Sequence, residues 1–334
     1  MQSHVIGVKE AGQRLDKFLH KFMPEATTSF FYKMLRKKNI TLNGKKAEGK
    51  ELLKEGDQIS FFFSDETFSK FRGTQNGIHK TSEYEKAYEK LKGIQIIYED
   101  EEVLILDKPA GILSQKACPE DLSLNEWMIG YLLYTDAISR EELKTFKPSI
   151  CNRLDRNTSG MVLCGKSLKG SQELAKLIRN RSLKKFYHTI AYGHMKNSAY
   201  IDGFLLKDDK TNKVKVFDKK DSTIPKDAQA IETSYHPLEY LGQNTLLEVQ
   251  LITGKTHQIR AHLAFIGHPI LGDTKYGMKQ INETYQKSVG LKWQILHAYQ
   301  IEFPIIEEGL TNLSGKIFVA DEPDIFSKLR KHKD

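Results

Sequence analysis

Leu15, Phe18, Leu19 and Phe22 recur at three- and four-residue spacing, so the pattern predicts an amphipathic helix over Arg14 to Phe22. Thr27, Thr28 and Ser29 can cap a second helix, Ser29 to Lys38, with apolar Phe30, Phe31, Met34 and Leu35. Ile40-Thr41-Leu42 then runs into Asn43-Gly44, a hairpin signal, and Gln58 to Phe63 reads as a closing strand after the Gly56-Asp57 turn. Ser64 to Lys92 is polar with little periodicity and reads as a linker carrying one helical segment around Tyr84 to Leu91. Apolar runs return at Ile94 to Tyr98 and Val103 to Leu106, two strands joined by an acidic turn. Further strands are predicted at Phe186 to Ala191, Ala230 to Tyr235 and Thr245 to Leu251, and helices at Leu122 to Tyr134, Leu168 to Arg179 and Gln258 to Phe265. The chain thus divides into a small unit (1–63), a linker (64–92) and a larger domain (93–330). Strands with interspersed helices, lacking regular β-α alternation, predict the α+β class.

Charge adds a partner to this picture. The 51 Lys and Arg outnumber 43 Asp and Glu, for a net charge of +8, and residues 1–63 alone carry 12 basic against 7 acidic side chains. That balance favours polyanions, nucleic acid before anionic membrane. Cys118, Cys151 and Cys164 are far apart and form no Cys-x-x-Cys pair, so neither a zinc site nor a disulfide framework is indicated, and reduced cytoplasmic cysteines are expected. No apolar run approaches the ~18–20 residues of a membrane span. The first residues lack a signal-peptide pattern.

Candidate chemistry concentrates in three stretches. In Cys151-Asn152-Arg153-Leu154-Asp155-Arg156-Asn157-Thr158-Ser159-Gly160, one carboxylate stands between two arginines, ahead of the apolar strand Met161-Val162-Leu163. An acid among cations stays ionised, which suits a nucleophile or an anchored base and not a proton donor. Taken alone, such a motif is more often a surface ion-pair loop. The strand around Lys185, Tyr187 and Thr189 puts these three on one face, where an aromatic beside lysines can stack an unpaired base. Thr253-Gly254-Lys255-Thr256-His257-Gln258-Ile259-Arg260 has the Gly-Lys-Thr of a phosphate loop, but Val249 stands where that loop needs its first glycine. The spacing of His257, His262 and His268 fits no common zinc pattern. What remains is a basic cap, Lys255 and His257, on a helix N-terminus suited to phosphate or carboxylate, with Arg260 placed to meet Asp155. Gly267 to Gly277 reads as a loop locking that helix to the sheet.

Together these residues resemble a known family. Arg153-Leu154-Asp155-x-x-Thr158-Ser159-Gly160, Lys185-x-Tyr187, the stretch Thr253 to Leu263, Gly267 to Gly277, and Asp107-Lys108-Pro109-Ala110-Gly111 look like the RluA-type pseudouridine synthases, in the same order from Ile94 to Phe303. Residues 1–63 resemble the small RNA-binding domain of ribosomal protein S4, through Arg14-Leu15-Asp16-Lys17-x-Leu19 and Ile40 to Gly44. Lys255 stands where the family often has Arg, which keeps the charge without the bidentate geometry. The resemblance implies a long mixed, mainly antiparallel sheet and isomerisation of uridine in RNA, ribosomal large-subunit RNA first, transfer RNA as the alternative. A non-catalytic ribosome-assembly factor is the rival reading. It also implies Asp155 as nucleophile, Tyr187 as stacking platform, Arg260 as the partner of Asp155, and Arg153 entering the space left by a flipped base. Arg14, Lys17, Lys33, Arg36, Lys37 and Lys38, with Lys185, Lys255 and His257, would contact the RNA. No cofactor or metal is expected, and the protein is expected to be a cytoplasmic monomer.

Overall fold

The computed structural model describes residues 2–72, 77–208 and 210–332. The N-terminal unit comprises β1 (Gln2–Val5), α1 (Leu15–Phe22), α2 (Thr28–Arg36), β2 (Ile40–Leu42), β3 (Lys45–Lys46) and β4 (Gln58–Phe61). Its sheet is antiparallel in the order β1-β4-β2-β3. The apolar stripe of α1 and Phe31 and Leu35 of α2 are buried against Ile40, Ile59 and Phe61, as the helical spacing requires. Thr27 caps α2 by accepting the Phe30 N–H at 3.3 Å.

Residues 64–92 depart from the expected linker. They carry two helices, α3 (Asp65–Arg72) and α4 (Gly77–Lys90); residues 73–76 of the expected linker lie outside the described residues. Tyr84 and Ala87 of α4 are buried against α5 (Leu124–Tyr134), in one core with Trp127 and Met128. The apolar face of α4 is too narrow to stand out among its charged residues. Its close approach depends on Gly130 of α5, where a β-carbon would sit 2.2 Å from the Tyr84 carbonyl oxygen.

The remaining chain builds β5 (Gln95–Glu99), β6 (Val103–Lys108), α6 (Glu142–Thr145), β7 (Ser149–Ile150), β8 (Ser159–Gly165), α7 (Leu168–Arg179), β9 (Lys184–Tyr192), β10 (Ala199–Asp208), β11 (Lys213–Phe217), β12 (Gln229–Leu241), β13 (Asn244–Leu251), α8 (Gln258–Phe265), α9 (Lys279–Val289), β14 (Leu296–Glu302), β15 (Ile317–Val319) and α10 (Asp324–Lys331). The strands join in the order β11-β10-β12-β13-β9-β14-β8-β6-β5, with β15 added to β14 and β7 to β8. β8 and β14 pair in parallel and the other neighbours are antiparallel, so the class is α+β with a mixed, mainly antiparallel sheet. Every residue of β8 is buried. Gly160 takes φ +111° there, and a β-carbon on it would lie 2.3 Å from the Ala298 carbonyl oxygen; only glycine lets the two central strands meet this closely.

The N-terminal unit is docked on this body. Lys9 donates to the Ala137 carbonyl and to Glu142, the latter at 3.2 Å. Glu10 is buried and accepts from His4 Nε2 at 2.9 Å, from the Gly7 N–H at 3.0 Å and from the Thr145 hydroxyl. No helix among the described residues is long and apolar enough to cross a membrane.

Candidate active site

Asp155 sits in the loop between β7 and β8, and its backbone is fastened on both sides. The Ser114 hydroxyl donates to the Leu154 carbonyl at 2.7 Å and accepts the Leu154 N–H at 3.0 Å. Downstream, the Arg156 carbonyl accepts the Gly111 N–H at 2.8 Å and Lys108 Nζ at 3.2 Å. Lys108 is fully buried and also donates to the carbonyls of Pro109 and Ile112. Burial pushes its pKa down to about 7 against the pull of Asp155 and Asp107. Three acceptors, however, call for three N–H donors, which only the ammonium supplies. Asp107-Lys108-Pro109 was legible as a turn; its reach to the Asp155 loop was not.

The cation that engages Asp155 comes from 105 residues away: Arg260 Nη1 donates to Asp155 Oδ2 at 2.7 Å. The flanking Arg153 and Arg156, expected to frame the acid, form no ion pair with it among the described residues. Arg153 is exposed and Arg156 Nε donates to the Gly111 carbonyl at 3.1 Å, because successive side chains along an irregular loop diverge. Arg260 is 4 % exposed on the first turn of α8. A buried guanidinium needs partners for its donors, and Asp273 takes two more of them, accepting Nε at 2.7 Å and Nη2 at 2.9 Å. Burial opposes the charge on Arg260, but Asp273 and then Asp155 outweigh it and raise its pKa. Burial likewise opposes ionisation of Asp273, yet Arg260 and the N–H groups of Lys275 and Tyr276 hold its pKa below the usual carboxylate range. The loop Gly267 to Gly277 does lock α8 to the sheet, through Leu271 N–H on the Ile190 carbonyl. Sequence reasoning missed that its Asp273 is also the far half of the arginine clamp. Asp273 stood within the stretch of resemblance, but its role carried no signal until α8 was placed beside it.

Asp155 opens on a cavity of about 1150 Å3, beyond the ~300–1,000 Å3 of small-ligand pockets and suited to a polymer segment. Tyr187 of β9 lines it at 5 % exposure, and burial followed by the charge on Asp155 raises its hydroxyl pKa. Lys185, half-buried on the same face, has its pKa lowered by burial and by Arg181. Arg153, Lys255 and His257 also line the cavity. His257 is buried, with Nε2 3.8 Å from Asp155 Oδ2. Asp155, Tyr187, Arg260, Arg153, Lys185, Lys255 and His257 thus share one site. The six basic residues of the N-terminal unit do not line the cavity, and all are exposed. Lys33 and Arg36 are on α2 with Lys37 and Lys38 just after; Lys17 is on α1; Arg14 pairs with Asp16 at 2.6 Å. Among the described residues no group of His, Cys, Asp or Glu is arranged to hold a metal ion.

Residues 102–265 match the family model of the RNA pseudouridylate synthases, and residues 13–59 match that of the S4 domain. An uncharacterized RNA pseudouridine synthase of Mycoplasma genitalium is 32% identical over 309 residues, which cover 90% of each chain. A ribosomal large subunit pseudouridine synthase C of Rickettsia typhi is 33% identical over 291 residues, covering 86% of this chain and 88% of that one. Among solved structures, human RNA pseudouridylate synthase domain containing 4 shares the fold at a TM-score of 0.56 and 22% identity, over 75% of this chain and 95% of that one. The chain is an RNA-modifying isomerase. It belongs to the RNA pseudouridine synthase family, of the RluA type, with an S4 domain ahead of the catalytic sheet.

Proposed function

We propose that this synthase acts on ribosomal large-subunit RNA, with Asp155 as its nucleophile. Several of the relatives carry that substrate in their names, the one from Rickettsia typhi included. The observation that carries the catalytic assignment is the placement of Asp155 in the lining of a basic cavity, paired with the buried Arg260. A uridine in folded RNA leaves its stack at a cost of a few kcal/mol. Arg153 occupies the gap in the helix, and the uracil stacks on Tyr187, a contact worth about 1–3 kcal/mol. The bond from the sugar to N1 then breaks, the base turns, and a bond from the sugar to C5 forms; the C5 proton leaves, N1 takes up a proton, and the bond Asp155 made on attack is broken again before the product leaves. No electron is gained or lost overall. Residues 93–330 do this chemistry, while the exposed cations of residues 1–63, none of which lines the cavity, hold RNA by its phosphates.

The test is pseudouridine mapping in total RNA from cells lacking the protein, complemented with wild type or with Asp155→Asn. The expected result is a pseudouridine in large-subunit RNA that returns with wild type and not with the variant, while the variant still binds RNA. Wild-type turnover by Asp155→Asn removes the nucleophile assignment; a missing pseudouridine confined to transfer RNA removes the substrate.

A further inference from the structure

A second line of contacts ends at Asp155. His257 precedes α8 with φ 53° and ψ 18°, the left-handed region that costs a residue with a β-carbon roughly 1–2 kcal/mol. This backbone turns the ring so that Nε2 faces Asp155 Oδ2 at 3.8 Å and Nδ1 faces the Tyr276 hydroxyl at 2.9 Å. The same hydroxyl accepts the backbone N–H of Val214, on β11, at 2.8 Å. A phenol has one proton to donate. Among the described residues, the only acceptor hydrogen-bonded to that hydroxyl is Nδ1 of His257. A neutral imidazole accepting at Nδ1 carries its own proton on Nε2. Burial holds the ring pKa down to about 4, with Arg260 and Lys275 opposing the pull of Asp155, so the ring is neutral near pH 7.

We propose that His257 is a positioning residue for Asp155, locked by Tyr276 as the Nε2–H tautomer and aimed at the same oxygen that Arg260 engages. Both donors then lie on Oδ2, and Oδ1, which has no partner among the described residues, is the oxygen left to react. At 3.8 Å the Nε2–H contact is a dipole facing a charge. A small rotation of the carboxylate closes it to a hydrogen bond, as catalytic contacts commonly tighten once substrate is bound. The strand that fixes Tyr276 belongs to the β10–β11 hairpin, whose Lys207 lines the cavity, so RNA seated there bears on the element that sets the tautomer. This assignment rests on the isomerase reading above.

Two measurements test it. Nitrogen NMR of histidine-labelled protein, without RNA, should show Nδ1 of His257 as the unprotonated nitrogen and a mixture of tautomers in Tyr276→Phe. Single-turnover isomerisation of a large-subunit RNA fragment should then slow by about tenfold in Tyr276→Phe, the rate equivalent of one weakened hydrogen bond to a charged group, with the half-saturating RNA concentration unchanged. His257→Gln and His257→Asn separate positioning from backbone strain. Asn tolerates the left-handed region better, but only the Gln amide reaches where Nε2–H stands. Asn should give the higher Tm and Gln the faster isomerisation. A protonated Nδ1 in the wild type, or rates that follow Tm, overturns the proposal and leaves the isomerase reading intact. Failure of the wild type to make pseudouridine overturns both.

Discussion

Asp273 separates what holds the site from what reacts in it. Its Oδ2 accepts Arg260 Nε at 2.7 Å; its Oδ1 accepts Arg260 Nη2 at 2.9 Å, the Lys275 N–H at 2.8 Å and the Tyr276 N–H at 3.1 Å. Asp273→Asn keeps the shape and one acceptor, so the three bonds on Oδ1 can persist. The new amide, though, points N–H at N–H toward Arg260 Nε, and the guanidinium loses a fully buried counter-charge. Breaking a buried pair costs ~3–5 kcal/mol. Because Asp155 remains to pair with Arg260, we expect the lower end, about 3 kcal/mol. The two tryptophans, Trp127 and Trp293, both lie in the catalytic sheet unit, so urea unfolding followed by their fluorescence reads that unit alone. Arg260 no longer held from behind shifts Asp155 by a fraction of an ångström or more, and an error of about 1 Å is worth about a hundredfold in rate. Asp155→Asn should show the opposite profile. The Asp155 side chain is 26% exposed, so its ion pair contributes about 1 kcal/mol or less, and stability should barely move while turnover disappears. The measurement is the pair of unfolding curves set against single-turnover rates. An Asp273→Asn protein with both the wild-type midpoint and the wild-type rate would refute the clamp.

Glu322 ties α10 to β9, accepting from His188 Nδ1 at 2.7 Å and from Arg330 Nη2 at 3.0 Å. Burial would raise its pKa, but His188 and then Arg330 pull it down to about 2. A depressed carboxylate stabilises the fold above its unfolded value, 4.5, and loses that contribution as pH falls through the folded value. The full shift corresponds to about 3 kcal/mol, and partial solvation reduces it to about 1–2 kcal/mol. Glu322→Gln should flatten stability between about pH 5 and about pH 2, checked by thermal melts across that window; an unchanged pH profile contradicts it. For the N-terminal unit, neutralising Lys33, Arg36, Lys37 and Lys38 should weaken RNA binding across sequences and lower the salt slope by about 1 for each phosphate no longer engaged. A slope equal to that of the wild type would count against this surface.

The periodic elements were readable where one face is apolar and the other is not. Leu168 to Arg179 and Gln258 to Phe265 match α7 and α8 residue for residue, and Thr245 to Leu251 falls one residue short of β13. The β10–β11 hairpin escaped because residues 199–217 mix lysines into both strands and the expected sign, a run of β-branched residues, is broken. α9 and α10 escaped for a related reason: each buries only one or two side chains, Tyr285 in the first, Phe326 and Leu329 in the second. Within the site, the residues with a one-dimensional signature were legible. The roles of those acting through the fold were not: Lys108 and Ser114 reach the Asp155 loop across the sheet, and Asp273 and Tyr276, though within a stretch of resemblance, reach Arg260 and His257 only once their loop folds back on α8. Asp155 illustrates both limits. Its neighbours suggested cationic company, but the cation that meets it is Arg260, the partner the resemblance implied, and neither arginine beside it.

That distance has a consequence for how the site comes into being. The clamp joins residues 155, 260 and 273, from the loop before β8, the start of α8 and the loop after it. Asp155 does not meet the other two until the sheet has closed across the parallel pair β8 and β14, whose close approach hangs on Gly160. A guanidinium buried before its carboxylates arrive would leave donors unpaired at a cost of several kcal/mol. Asp273, 13 residues from Arg260, can take up the guanidinium first, and the site is complete only when Asp155 arrives. A chain whose sheet has not closed presents Asp155 without its partner, so it can bind RNA through its lysines but cannot hold the reactive carboxylate in place. Binding and catalysis should accordingly separate under mild denaturation, with catalysis lost first, at the urea concentration where the tryptophan signal of the catalytic unit begins to change.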